Sequence, residues 1–75
     1  MTWNDIAAAH LAEAAEWTRT SKQCEGDSVA AMFQGTDGSP HAASALHARD
    51  RVAACLQQAY AALAAARQGL PVQER

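Results

Sequence analysis

The chain reads as an all-α protein, a two-helix antiparallel hairpin that pairs with a second copy into a four-helix bundle. Three observations predict this. Apolar and small residues recur at helical spacing through both halves of the sequence, a cluster of turn residues at 35–41 separates the halves, and twenty of the 75 residues are alanine, the strongest helix former. A chain of this length makes one domain, spanning 1–75, and its large apolar side chains are too few for a self-sufficient globule. Alanine inflates the 49% hydrophobic fraction, since one methyl removes far less apolar area from water than a leucine side chain.

The first helix is expected over about 3–34. Thr2 supplies the N-cap, and Asp5, three residues on, meets free amide protons and the positive end of the helix dipole. Trp3, Ile6, Ala7, His10, Leu11, Ala14 and Trp17 then follow the i, i+3, i+4 rhythm of one face. In "TRTSKQCEGDS" the helix signal weakens, because β-branched residues, short polar residues and a glycine each lower propensity. Either one helix tolerates Gly26, or a break there lets Asp27 or Ser28 cap a short second piece carrying Val29, Met32 and Phe33. Continuity is the favoured reading.

"GTDGSPH" turns the chain over 35–39. Gly35 sits where a left-handed C′ glycine belongs, and Ser39-Pro40 reads as an N-cap followed by proline at the first helical position. A phosphate-binding loop is excluded: the two glycines are three apart, no lysine follows, and the preceding segment is helical. The second helix is expected over about 40–68, stopped by Gly69 and Pro71, with a frayed tail at 69–75. Its seam is read as Ala42, Ala45, Leu46, Val52, Ala53, Leu56, Ala59, Tyr60 and Leu63, with Arg49 the charged residue in that phase. Folding back at 37–38 places residue i beside residue 75 − i, which sets Trp17 against Leu56 and Tyr60, and Val29 with Met32 against Leu46 and Ala42.

Net charge is −2 with no basic run, so the electrostatic footprint of a nucleic-acid binder is missing. Acidic residues dominate 1–37 and arginines dominate 38–75, an asymmetry under which the two halves attract. No apolar run reaches the roughly 18 residues of a membrane span, and the start has no signal-peptide pattern, so a cytoplasmic protein is expected. Cys24 and Cys55 are then free thiols, although the hairpin arithmetic brings them within a register shift of a disulfide.

No catalytic residues or cofactor are expected. His10 with Glu13, and His47 with Asp50, have the i, i+3 spacing that can ligate metal in a bundle, and a metal- or ligand-binding bundle is the alternative function. The histidine-carboxylate order is reversed from the known di-metal signature, no further carboxylates complete the set, and His10 and His47 fall far apart along the rod. Cys24, Cys55, His41 and His47 lack zinc-ligand spacing. The aromatic residues point elsewhere, because large rings on a thin scaffold bury best against another chain. The expected interface comprises Trp3, Ile6, His10, Trp17, Val52, Leu56, Tyr60 and Leu63.

"HLAEAAEW" (10–17) and "RVAACLQQAYAALAAA" (51–66) resemble small alanine-rich helical proteins of actinobacteria and their phages. The resemblance covers about half the chain. It implies an origin and assigns no site; with no catalytic or ligand signature in the chain, the expected function is that of a non-enzymatic protein working through protein-protein contacts, as a homodimer and as a phage-encoded or accessory factor binding a host, phage or structural protein.

Overall fold

The computed structural model describes residues 1–72, which form two α-helices, α1 (Trp3–Phe33) and α2 (Ser39–Arg67), packed as an antiparallel hairpin. The hairpin measures 55 × 22 × 13 Å, one helix layer thick. Residues 73–75 of the expected tail lie outside the described residues.

The capping expected at Thr2 is present in full. The Thr2 hydroxyl accepts from the Asp5 amide at 3.2 Å, and the Thr2 amide donates to the Asp5 carboxylate at 2.9 Å. These bonds hold the Asp5 carboxyl below its ordinary value, the backbone amide contributing most. α1 continues through Gly26 without a break, because its tertiary contacts outweigh the propensity deficit of one glycine. Both helices end on left-handed glycines, Gly35 (φ 74°) and Gly69 (φ 72°). At the first, the Thr36 amide donates to the Ala31 carbonyl and the Gly35 amide to that of Met32. The same pair of bonds recurs from Leu70 to Ala65 and from Gly69 to Ala66.

The start of α2 differs from expectation. Gly38 is its N-cap, so Ser39 is not the cap and Pro40 occupies the second helical position. Asp37 captures the Ser39 amide at 2.9 Å instead, which lowers the Asp37 carboxyl from its ordinary value. Gly38 is buried against α1: a Cβ there would stand 2.8 Å from the Ser28 carbonyl oxygen and 3.0 Å from its hydroxyl. Only glycine permits this approach.

That contact sets the register. The connector folds back along α1, so residues that meet across the hairpin, such as Ser21 with Ala45, Ser28 with Gly38, and Ala7 with Ala59 and Ala62, have numbers summing to 66–69. The expected sum of 75 is therefore wrong by about two helical turns, since it assumed a symmetric fold-back. Trp17 consequently meets His47 and Arg51 rather than Leu56 and Tyr60. Cys24 and Cys55 both remain thiols, and by this register they lie about eleven residues, roughly 16 Å, apart along the rod, beyond the reach of a disulfide.

The seam follows a strict alternation of three- and four-residue steps. On α1 it runs through Trp3, Ala7, His10, Ala14, Trp17, Ser21, Cys24, Ser28 and Ala31, all buried or half-buried. On α2 it runs through Ala45, Ala48, Val52, Cys55, Ala59, Ala62 and Ala66. This is the heptad geometry of a coiled coil, lined with small side chains. The buried apolar residues are seven alanines and Cys55, with Ala48 and Ala59 fully enclosed. The alanines and serines between the larger Trp3, His10, Trp17 and Val52 let the helix axes approach toward the short end of the usual range, ~8 Å.

The seam expected on α2 is corrected accordingly. Ala45, Val52 and Ala59 lie in it, but Leu46, Tyr60 and Leu63 are exposed, as are Ala42 and Ala53. The expected stripe tracked the large apolar residues, whereas the packing surface tracks the small ones. At this spacing a leucine has no room between the helices.

Candidate interaction surface

The two long edges of the seam give the hairpin two broad faces of different character. One carries most of the polar fastenings. There the Trp17 ring meets the His47 ring edge-on at 5.7 Å, lies under the Arg51 guanidinium at 6.0 Å, and directs its indole N–H toward Glu13 at 3.4 Å. Arg51 also lies 3.7 Å from Glu13. Further along, the Trp3 indole donates to the Leu70 carbonyl at 2.7 Å, and Trp3 and Ile6 form a hollow with Ala65, Leu70, Pro71 and Val72. Residues 70–72 of the expected frayed tail are thus folded back on the start of α1.

The opposite face carries the large apolar side chains that the seam excludes. Leu11, Val29, Met32, Leu46, Tyr60 and Leu63 are exposed there, and half-buried Leu56 lies among them. They occupy the two heptad positions beside the seam on that side. The remaining exposed large apolar residues, Met1, Phe33 and Leu70, stand at the ends of the helices. Tyr60 is 64% and Met32 71% exposed, values that set this face apart from scattered surface leucines. A shallow trough follows its edge, crossed by the ion pair between Glu25 and Arg49.

Charge is distributed unevenly along this face. In its half near the open end, the exposed positions are Asn4, Ala8, Leu11 and Ala15 on α1 and Ala53, Tyr60, Leu63 and Arg67 on α2, with Arg67 the charged residue, at the end of the helix. The half near the turn carries Lys22, Glu25 and Arg49 alongside Val29, Met32 and Leu46. Interface centres have this composition, depleted of charge and enriched in aromatic residues, with polar groups at the margin.

The eight residues expected at an interface divide between two locations. Trp3, Ile6, His10, Trp17 and Val52 are half-buried within the hairpin, so both tryptophans are already used in its own packing. Leu56, Tyr60 and Leu63 lie on the apolar face. Leu11, Val29, Met32 and Leu46 belong with them but were absent from the expected set. The signal that reveals them is a large apolar residue placed directly beside a small-residue heptad.

The alternative metal set is not assembled. By the register, His10 and His47 are about eleven residues, roughly 16 Å, apart along the axis, and His47 is engaged with Trp17. Among the described residues no group of three or more His, Cys, Asp or Glu side chains could hold a metal ion. Burial raises the Cys55 thiol above its ordinary value, and the nearby Glu13 carboxylate adds to this, the reverse of what activates a cysteine nucleophile. Among the described residues no helix is long and apolar enough to cross a membrane. No family model, curated protein or solved structure matches the chain, so its reading rests on its own residues.

Proposed function

We propose that the protein is a non-enzymatic helical interaction protein that works by laying its apolar face against another protein. The observation that carries this reading is the gathering of six exposed large apolar side chains on one face. Fully covering a leucine or similar side chain yields about 1.5–3 kcal/mol, against ~0.8 kcal/mol for one methyl group. A substantial share of the large apolar surface of this chain therefore remains uncovered, on that face. A helical partner surface matches it best, because ridges of side chains at Leu56, Tyr60 and Leu63 fit the grooves of another helix.

The test is site-specific photo-crosslinking in the producing cell. A photoreactive phenylalanine analogue at position 60 should give discrete protein adducts, and the same analogue at position 58, which points away from the face, should not. No adduct from position 60, or the same adducts from both positions, would overturn the reading.

A further inference from the structure

Building on that reading, we infer that the partner laid on the apolar face is an amphipathic helix of a different protein, with an apolar stripe flanked at both ends by carboxylates. Leu11, Leu56, Tyr60 and Leu63 form one continuous run of the face. By the register of the hairpin, Lys22 stands past one end of this run, beyond Leu11 and Leu56, and Arg67 stands past the other, beyond Leu63. The two levels are about 20 residues, roughly 30 Å, apart along the rod. Lys22 and Arg67 are both exposed, and among the described residues neither has an ion-pair partner, whereas Arg49 is neutralised by Glu25.

The positive charge belongs to this face and not to the chain as a whole. The face carries Lys22, Arg49 and Arg67 against Glu25, a net +2, while the opposite face carries Arg51 against Glu13, Glu16 and Asp27, a net −2. Charges at the margin of a covered apolar patch steer encounter, fix register and exclude wrong partners. Two cations that bracket an apolar run therefore fit a helix of about 20 residues with an acidic group near each end of its apolar stripe.

A second copy is a poor match. Stacked on itself with the ends aligned, the run sets Lys22 near Lys22 and Arg67 near Arg67; stacked with the ends reversed, it sets Lys22 near Arg67. Cation meets cation in both cases. An anionic lipid surface fits no better, because helices that lie in a membrane interface are rich in Lys and Arg on their polar side, and the polar side of this hairpin is net acidic.

Photo-crosslinking from position 60 in the producing cell, repeated in charge variants of the full chain, tests this. Lys22→Glu, Arg67→Glu is expected to cut the adduct yield at least tenfold, and Lys22→Gln, Arg67→Gln several-fold, with helicity retained in circular dichroism. Arg19→Glu, a charge reversal off the face, is expected to leave the yield unchanged. Mass spectrometry of the adduct should place the crosslink in a segment whose acidic residues outnumber its basic ones. Undiminished adducts from both charge variants, a crosslinked segment without net negative charge, or an adduct joining two copies of this chain would overturn the acidic partner and leave the interaction reading standing. The absence of any adduct would remove both, and flotation of the same protein with phosphatidylglycerol vesicles would then assign the face to a membrane.

Discussion

Ala59 and Tyr60 are neighbours in sequence and opposites in environment: the alanine is fully enclosed in the seam, and the tyrosine is 64% exposed on the outer face. The same contrast runs the length of α2, where Ala45, Ala48 and Ala62 are buried while Leu46 and Leu63 are not. Ordinary amphipathic helices bury their largest apolar residues. Here close approach of two alanine-lined helices gives the interior to the smallest, and the large side chains form a second surface that a one-layer structure leaves uncovered. The hairpin therefore separates its side chains by size: the small ones set its geometry, and the large ones form the uncovered outer face.

The sharpest way to break this contrast is to enlarge the seam. Ala59→Leu must force the helices apart or strain the side chain, and is expected to destabilise the hairpin by at least about 1–3 kcal/mol in chemical denaturation. An unchanged denaturation midpoint would mean the seam is looser than described. Gly38→Ala attacks the same close approach from the turn. Its new methyl would meet the Ser28 carbonyl at 2.8 Å, backbone that cannot rotate away, and a loss of ~1–3 kcal/mol is expected by the same measurement.

On the outer face the expected effect moves from folding to association. Tyr60→Ala should weaken binding at least tenfold, about 1.4 kcal/mol, in titration against the partner captured from position 60, while helicity measured by circular dichroism at high concentration stays unchanged. If the variant lost helicity at every concentration, Tyr60 would belong to the internal packing after all.

Smaller effects test the helix ends and the one weak position in α1. Gly26 is exposed with nothing within 4 Å of an added Cβ, so Gly26→Ala should stabilise the chain by ~1 kcal/mol, read as a higher melting temperature. Asp5 and Asp37 have carboxyls held below their ordinary 3.8 by hydrogen bonds present only in the folded chain. A lowered folded value means that this contribution is fully present above pH 3.8 and is lost as pH falls through the lower folded values. The melting temperature should therefore drop on acidification below that range, and the Asp5→Asn, Asp37→Asn double variant should show a shallower drop.

Much of the fold was legible in the sequence because its signals are local. Thr2 with Asp5, Gly35 and Gly69 specify caps by chemistry within a few residues, and the helices begin and end within one residue of the expected positions. The register was not legible, since it depends on Gly38 packing against Ser28 ten residues earlier, a contact that no local pattern records. The seam of α2 was misread for a related reason. Leucine and tyrosine dominate any hydrophobic periodicity, so the stripe they trace masks the neighbouring alanine heptad, which becomes decisive only when two such rows meet. The outer apolar face was accordingly read in part: Leu56, Tyr60 and Leu63 lie on it, while Trp3 and Trp17 are fastened within the hairpin.

The most direct measurement is photo-crosslinking from position 60, with a Leu56→Glu, Leu63→Glu variant beside the otherwise native protein. An uncovered apolar face that takes a partner predicts discrete adducts for the native face and none for the variant, with helicity unchanged in both. Adducts that persist in the variant, or none from either protein, would contradict association through this face.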